Sequence, residues 1–404
     1  MTRILFVDDE EPVLNGLRTR LYRQNGRWTM MFVESGARAI AQLEREAFDV
    51  IVTDMRMPEM DGAELLQSVS ERWPQTIRIV LSGYAESQQA LRLVPIAHQY
   101  LSKPCDAQRL VSATDACLHL YALLPHPELR ALVGRVRTLP AMPRVYSKLR
   151  IAISRDNVDV QEIAKLLAMD PVMAAKVLQM ANSAFFRLAR PTVNIDKAVS
   201  YLGVAVIRSL VTSPSVFAPW PDRGPSTLVN FEELQLHAHV AGAAAQALAT
   251  PALLGDEALL AGLLHNIGYW ILAHECPERL ANAVETAVAE RIPLYEAEAR
   301  VLGASHAQIG AYLLGLWGLP QSIVEAVAHH HAPHSVPQST FEPLAALAVA
   351  NALLPTDDAS AFGVALVRGL KVDSTFLSGL NAPFDWAEAV QRVSRICDSE
   401  DTGE

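Results

Sequence analysis

The sequence predicts two successive architectures, an α/β segment with a doubly wound parallel sheet and then an all-helical segment. In residues 1–122, short apolar runs alternate with amphipathic stretches of helical period, the pattern of a parallel sheet covered by helices on both faces. From about Glu128 onward the helical period dominates and no convincing strand pattern remains. Pro125 and Pro127 interrupt the helix between the two segments, which indicates a short junction.

The first segment is predicted to contain five parallel strands. They are Ile4–Val7, Thr29–Val33, Val50–Thr53, Ile77–Leu81 and Gln99–Leu101. Such short apolar runs, separated by helical stretches, are typical of strands buried on both faces of a sheet. The carboxyl ends of the strands meet at one edge, where open α/β folds place their ligand sites.

Carboxylates follow two of these strands. Asp8 and Asp9 come directly after the first strand, and Asp54 comes directly after the third. Because carboxylates that lie close together repel each other, all three stay ionised only when a cation neutralises them. Oxygen ligands suit a hard divalent ion, so Mg²⁺ is the expected cofactor of this segment.

Two further polar side chains are expected at the same edge. Ser82 follows the fourth strand and Lys103 follows the fifth. A hydroxyl group can donate a hydrogen bond to an anion, and a lysine ammonium contacts an anion as a point charge. Together with a carboxylate nucleophile, these groups predict phosphoryl transfer to an aspartate.

Four motifs in residues 1–122 resemble the receiver domain of two-component response regulators. The motifs are Val7-Asp8-Asp9-Glu10, Thr53-Asp54-Met55-Arg56-Met57-Pro58, Leu81-Ser82-Gly83-Tyr84 and Ser102-Lys103-Pro104. The resemblance implies a flavodoxin-like (βα)5 fold, and it implies a sensor histidine kinase as the partner that supplies the phosphoryl group.

The resemblance also implies roles for the residues at the acidic edge. Asp54 is the expected phosphoacceptor, and Asp8, Asp9 and Asp54 would bind Mg²⁺ together with the main-chain carbonyl of Arg56.

The same resemblance assigns the remaining functional positions. Ser82 and Lys103 would hold the phosphoryl group, and Tyr100 would be the aromatic side chain that changes position on phosphorylation. The peptide bond before Pro104 is often cis in this family.

Charge and composition exclude several classes of protein. The net charge is −10, and both segments are acidic on balance, so direct DNA binding is not expected. The densest basic stretch, Arg130–Arg155, is interpreted as a solvated helix face. The four cysteines form no Cys-x-x-Cys pair, which is typical of a reducing compartment and excludes a cysteine zinc site.

The apolar runs give no reason to expect a membrane protein. The longest run, Ala258–Ala273, contains His265 and Asn266 and is too short to span a bilayer. The sequence opens on a core strand, so no signal peptide is expected and the predicted location is cytoplasmic.

The chain is predicted to comprise five parts. They are a receiver domain at residues 1–122, a helical junction at 123–138, a helical output domain at 139–355, a C-terminal helical extension at 356–397 and an acidic disordered tail at 398–404.

Histidines recur along the apolar helices of the second segment. They include His237, His265, His306 and the run His329-His330-His331. An isolated histidine on an apolar helix is usually a packed core residue, so these positions alone leave core and ligand roles open. The pair His265-Asn266 inside the apolar run Leu263–Gly268 favours a site.

Six motifs between residues 130 and 355 resemble HDOD domains, a branch of the HD phosphohydrolase superfamily. They are Leu139–Pro143, Met169–Pro171, Ala181–Phe185, Ala198–Gly203, Gly262–Gly268 and Leu316–Pro320. The resemblance implies an all-helical domain with two lobes. It also implies that His237, His265, His306 and His330 stand at the histidine positions of the superfamily metal site.

The sequence departs from the catalytic members of that superfamily at several positions. Asn266 and Asn351 stand where metal-binding acids are expected, and Tyr269 stands where the cyclic-dinucleotide-cleaving branch has lysine. Ala332-Pro333 replaces the Gly-Tyr-Pro signature of that branch. A neutral amide is a poorer metal ligand than a carboxylate. We therefore expect a non-catalytic domain without a cofactor; a metal held by the histidines alone is the alternative.

The sequence thus predicts a response regulator. Phosphorylation at Asp54 would control self-association as a homodimer, or the docking of an output domain that binds a downstream protein. The alternative is a receiver-controlled, metal-dependent phosphodiesterase acting on cyclic dinucleotides or other nucleotides. A DNA-binding regulator is the third hypothesis, and the acidic balance disfavours it.

Overall fold

The computed structural model describes residues 2–82, 93–155, 157–183, 186, 191–213, 216–219, 228–249, 252–337, 341–355, 358–364, 366, 376 and 385–402. The chain divides into two compact units. The first comprises Met1–Thr138, Gln179–Arg190 and Gly315–Gly318, and the second comprises Leu139–Leu178, Pro191–Leu314 and Leu319–Glu404.

The first unit contains a five-stranded parallel sheet. The strands are β1 (Thr2–Val7), β2 (Trp28–Val33), β3 (Val50–Asp54), β4 (Ile77–Ser82) and β5 (Gln99–Ser102). They are ordered β2-β1-β3-β4-β5. All five predicted strands are present, and the predicted α/β fold of this segment is confirmed.

Five helices of this unit lie within the described residues. They are α1 (Glu11–Arg20), α2 (Gly36–Arg45), α3 (Gly62–Arg72), α4 (Ala107–His119) and α5 (Pro127–Arg135). The helix expected between β4 and β5 lies outside the described residues apart from Leu93. Pro127 begins α5, where a missing amide hydrogen disrupts no helical hydrogen bond.

The register of the sheet places the two acidic strand ends side by side. β1 lies between β2 and β3, so the strand order reverses next to it. Val7 of β1 pairs with Thr53 of β3. Asp8 follows Val7 in the chain and Asp54 follows Thr53, so the two acids lie next to each other. This reversal is the position at which open α/β sheets bind ligands.

The helix after the receiver-like sheet is anchored within the first unit. Arg78 on β4 is 1% exposed and donates hydrogen bonds to the carbonyl oxygens of Ile96 at 2.6 Å and Gly134 at 2.9 Å. Arg137 forms an ion pair with Glu71 on α3 at 3.2 Å. The junction therefore packs on the sheet instead of forming an extended linker.

From residue 139 onward the chain is mainly helical, as predicted. The helices are α6 (Pro143–Ser154), α7 (Val160–Ala168), α8 (Pro171–Asn182), α9 (Ile195–Thr212), α10 (Phe231–Leu248), α11 (Ala252–Leu264), α12 (Ile267–Glu275), α13 (Pro277–Glu290), α14 (Leu294–Leu302), α15 (His306–Leu316), α16 (Gln321–His329), α17 (Pro343–Leu353) and α18 (Trp386–Thr402).

Two details differ from the sequence-based expectation. The short strands β6 (Pro140–Ala141) and β7 (Ala218–Pro219) pair in parallel, and two residues are too few to show a strand periodicity. Helix α18 continues through Thr402, so it overlaps the segment for which we expected disorder. No helix in the described part of the chain has the length and hydropathy needed to span a membrane.

Candidate phosphoacceptor site and buried histidine cluster

Three charged side chains contact one another at the carboxyl edge of the sheet. The Nζ atom of Lys103, which follows β5, lies 2.5 Å from Oδ1 of Asp54 and 2.7 Å from Oδ2 of Asp8. Asp8 is 1% exposed and Asp54 is 8% exposed, so water screens these attractions only weakly. One ammonium group thus bridges two carboxylates, and one negative charge remains uncompensated among the three groups.

Main-chain amides fix the other oxygen of each carboxylate. The amide of Arg56 donates to Oδ2 of Asp54, and the amide of Glu10 donates to Oδ1 of Asp8, both at 3.0 Å. Each carboxylate therefore has one oxygen on Lys103 and the other on the backbone, which defines the orientation of both groups.

The beginning of α3 supports Asp54 from behind. Asp61 and Glu64 form a capping box that starts this helix. A Cβ atom on Gly62 would lie 2.2 Å from the carbonyl oxygen of Asp54. Only glycine allows α3 to approach the strand end this closely.

Burial and the bridging ammonium act in opposite directions on the acidity of these groups. Burial raises the pKa of Asp54, and the hydrogen bond from Lys103 lowers it without cancelling the increase. For Lys103, burial lowers the pKa, but hydrogen bonds to Asp54 and Asp8 outweigh that effect and raise it overall. Lys103 is therefore a permanent cation at this edge.

The arrangement fits the expected magnesium site. Asp9 is exposed and lines an open groove together with Arg56 and Asp61. With Asp8 and Asp54 beside it, the available donors are carboxylate and carbonyl oxygens, which suit a hard divalent cation. The uncompensated negative charge of the buried edge favours the same kind of ion.

The remaining predicted receiver residues occupy the expected strands. Ser82 ends β4, and its side chain lies outside the described residues. Tyr100 lies in β5 and is 6% exposed, and burial raises the pKa of its hydroxyl group. The Lys103–Pro104 peptide bond is cis.

The four predicted histidines of the second unit lie together. The ring of His265 is 5.4 Å from that of His237 and 4.9 Å from that of His330, and His306 is 5.5 Å from His330. All four are buried. They come from α10, from the turn between α11 and α12, from the start of α15 and from the end of α16.

Hydrogen bonds define the tautomers of two of these rings. The Nδ1 atom of His265 lies 2.6 Å from the carbonyl oxygen of Gly262, and that of His330 lies 2.8 Å from the carbonyl oxygen of Val327. A neutral ring that donates from Nδ1 keeps a lone pair on Nε2. Burial lowers the pKa of both histidines well below the usual value, so both rings are neutral.

Sequence reasoning missed Glu298, and it named His331 only as part of the run His329-His330-His331. Oε2 of Glu298 lies 2.7 Å from both the main-chain nitrogen and Nδ1 of His306, and Glu298 is fully buried. Nε2 of His331 lies 3.2 Å from Nε2 of His306. Glu298 could have been found from its spacing, since Leu294 and Leu302 stand four residues before and after it on a buried helix face.

The two asparagines that replace acidic residues are also buried. Asn266 is 1% exposed and Asn351 is 6% exposed. Neither amide atom of Asn266, nor Oδ1 of Asn351, hydrogen-bonds to any part of the chain that the structure describes. Asn351 lies on α17, which packs against α10, α11 and α16. Tyr269 stacks on His306 with the ring centres 3.9 Å apart.

Comparison with known families agrees with both resemblances. Residues 4–115 match the response regulator receiver domain, and residues 139–333 match the HDOD domain.

Individual relatives match parts of the chain. An uncharacterized protein of Treponema pallidum is 28% identical over 211 residues, 51% of this chain and 40% of that protein. The hydrogenase transcriptional regulatory protein HoxA of Cupriavidus necator is 30% identical over 164 residues, 40% of this chain and 33% of HoxA. The chain thus spans less than half of the length of these two relatives.

Among solved structures, the MmoQ response regulator of Methylococcus capsulatus is 22% identical to the chain. The match covers 56% of this chain and 94% of that one, with a TM-score of 0.44.

Proposed function

Since residues 4–115 form a response-regulator receiver domain and residues 139–333 form an HDOD domain, we propose that phosphorylation of Asp54 controls a binding function of the HDOD domain. The observation that carries this proposal is the contact of Lys103 with both Asp54 and Asp8. It combines a buried carboxylate nucleophile, a second carboxylate for a cation and a fixed ammonium group at one strand edge.

The proposed reaction transfers a phosphoryl group from a histidine of a sensor kinase to Asp54. The P–N bond of the phosphohistidine breaks, a P–O bond to the carboxylate forms, and the released imidazole takes up a proton from water. The amide of Arg56 holds Oδ2 of Asp54 during this reaction, and Lys103 pairs with an oxygen of the arriving phosphoryl group. Bound Mg²⁺ would neutralise charge on the phosphoryl oxygens.

The output is proposed to bind a downstream protein without turnover. Asn266 and Asn351 supply no negative charge where hydrolytic members of the superfamily use acids, so activation of water at these positions is disfavoured. Phosphorylation would alter self-association of the chain or the docking of its HDOD domain. A receiver-controlled phosphodiesterase is the second candidate, and the clustered histidines favour it.

Labelling tests the first step. Asp54→Asn should abolish labelling by a small phosphodonor such as acetyl phosphate, while Asp115→Asn on α4 should leave it unchanged. Labelling that persists in Asp54→Asn contradicts the assignment. The oligomeric state with and without beryllofluoride, measured by light scattering, then tests the control of self-association.

Turnover assays distinguish the two candidate functions. We expect no hydrolysis of cyclic dinucleotides or other cyclic nucleotides in the presence of Mg²⁺, Mn²⁺ or Zn²⁺. Hydrolysis that disappears in His265→Ala would establish the phosphodiesterase instead.

A further inference from the structure

We propose that the second unit binds a small monocarboxylate with an apolar body in a groove between α6, the turn after α7, and α10. The groove has a cavity volume of about 360 Å³. Pockets that bind small molecules typically measure about 300–1,000 Å³. This inference goes beyond the proposed function and does not depend on phosphorylation of Asp54.

Four large apolar side chains line this groove. Met142 and Val145 at the start of α6 are buried, whereas Met169 after α7 is 41% exposed and Leu236 on α10 is 53% exposed. Large apolar side chains that stay exposed around one cavity indicate a binding surface. The two methionines adapt their shape to a ligand, because their side chains are unbranched and polarizable.

The charges at the groove complement a single negative charge. Arg144 and Lys148 are exposed and stand four residues apart on α6, so they share one helix face. Glu232, in the first turn of α10, lines the groove as well. None of the three side chains forms an ion pair within the residues that the structure describes. Two cations and one acid leave one positive charge, and the planar guanidinium group of Arg144 matches a carboxylate.

A second, smaller cavity continues the groove beyond His239. Its volume is about 90 Å³, and His239 lines both cavities. The adjacent residues Ala168 and Met169 line the second and the first cavity, respectively. The apolar lining of the second cavity consists of Val193, Ile195, Leu259, Leu260 and Leu263. An elongated apolar body therefore has room to extend from α6 past His239 towards α11.

Acidic side chains at the far end define the orientation of the ligand. Asp196 and Asp256 line the second cavity. Nδ2 of Asn194 donates a hydrogen bond to Asp256 at 3.1 Å, and Nζ of Lys197 lies 4.0 Å from the same carboxylate. An anionic group is repelled by these acids and attracted by the cations of α6. The carboxylate of the ligand should therefore lie at α6 and its apolar end near α11.

The volume of the groove favours a small molecule over a helix of a partner protein. Two turns of an α-helix, about 10 Å wide and about 11 Å long, occupy roughly 850 Å³. This is more than twice the 360 Å³ of the main cavity. A single alkyl or aromatic body needs less space and contacts the same four apolar side chains.

The test uses octanoate as the probe and full-length protein in isothermal titration calorimetry. Octanol and octylamine have the same chain length and are neutral and cationic, respectively. We expect one octanoate site per chain, with about 3- to 10-fold tighter binding than for octanol, because exposed ion pairs contribute modestly to affinity. Octylamine should bind more weakly than octanol, since it meets the cations of α6 without a negative charge.

Variants at exposed residues separate the charged part of the site from its apolar part. The double variant Arg144→Gln/Lys148→Gln should lose the preference for octanoate and bind octanol as the wild type does. Leu236→Ala should weaken both probes by about 3- to 10-fold, because it removes apolar contact area. Glu232→Gln should strengthen octanoate binding about 2- to 5-fold by removing a repulsive charge.

Two controls match these changes outside the groove. Arg150→Gln removes another exposed cation of α6, and Val288→Ala shortens an exposed apolar side chain of α13. Both should bind octanoate as the wild type does, and circular dichroism checks that every variant is folded.

Three results would overturn the proposal. The first is folded wild-type protein that shows no saturable binding of octanoate at millimolar concentrations. The second is equal affinity for octanoate and octylamine. The third is a double variant of Arg144 and Lys148 that retains the wild-type preference for octanoate over octanol.

Discussion

The Nζ atom of Lys103 lies 2.5 Å from Oδ1 of Asp54 and is at the same time 2.7 Å from Asp8. The ammonium group therefore bridges two buried carboxylates of adjacent strands and offsets one of their two negative charges. Any change at Lys103 should alter both the stability of the first unit and its response to divalent cations, which makes this contact a direct way to examine the site.

Replacing Lys103 with glutamine should destabilise the protein and make it more responsive to Mg²⁺. Without the ammonium group, the buried carboxylates of Asp8 and Asp54 repel each other, and we expect a loss of about 1–3 kcal/mol in the free energy of unfolding. Because a divalent cation can replace the missing charge, Mg²⁺ should stabilise the variant more than the wild type. Urea unfolding with and without MgCl₂ measures both effects.

The control for this change is Lys148→Gln, which removes an exposed lysine from α6. Its effect on stability should be small and independent of Mg²⁺. Equal losses in the two variants would show that the contacts of Lys103 contribute nothing specific.

Asp54 should accept phosphoryl groups less readily as the pH falls. This loss should begin at a pH above the usual pKa range of a carboxyl group. Burial raises its pKa above 3.8, and only the ionised form is a nucleophile. For stability the sign is the reverse. The raised pKa of Asp54 adds stability to the folded protein that is fully present below pH 3.8, the ordinary pKa of the group. This added stability is lost as the pH rises through the raised pKa.

Carbon-13 NMR of the Asp54 carboxyl group measures this titration. The midpoint should move to lower pH when Mg²⁺ is added, because the cation favours the ionised form. In Lys103→Gln it should move to higher pH. A midpoint at or below 3.8 without Mg²⁺ would contradict the effect of burial.

The features of the fold and the site that could be predicted are those that depend on neighbouring residues in the sequence. The strands of the sheet and the acids at Asp8 and Asp54 were predictable, since apolar runs that end in acids define the strand ends themselves. The bridging contact of Lys103 was not, because its geometry depends on the relative positions of three separate strands. Glu298 was missed for a different reason: a glutamate within a helix is normally a surface residue, and only its apolar neighbours at four-residue spacing indicate burial.

Lys176 should make the stability of the second unit depend on pH. This side chain on α8 is 1% exposed, and burial lowers its pKa from 10.5 to about 7. The contribution of Lys176 to the stability of the folded protein is therefore present above pH 10.5 and is lost as the pH falls towards 7. Lys176→Met should raise the free energy of unfolding at pH 7 by about 1–4 kcal/mol.

Calorimetry between pH 7 and pH 10 provides the measurement for Lys176. The stabilising effect of Lys176→Met should shrink as the pH rises, while Lys165→Met, at an exposed lysine of α7, should show no such trend. A constant difference across this pH range would indicate that charge on Lys176 is not the cause.

Gly268 should be irreplaceable, because α12 and the start of α15 touch at this residue. A Cβ atom there would lie 2.0 Å from the carbonyl oxygen of His306, so even alanine forces the two segments apart. We expect Gly268→Ala to lower the free energy of unfolding by about 1–3 kcal/mol.

Gly255 on α11 offers the matched control. A Cβ atom at Gly255 would meet its nearest neighbour, Gln246, at 3.5 Å, which is an ordinary contact. Gly255→Ala should therefore gain helix propensity and stabilise the protein by up to about 1 kcal/mol. Equal losses of stability in the two variants would show that the close contact at Gly268 is not the cause.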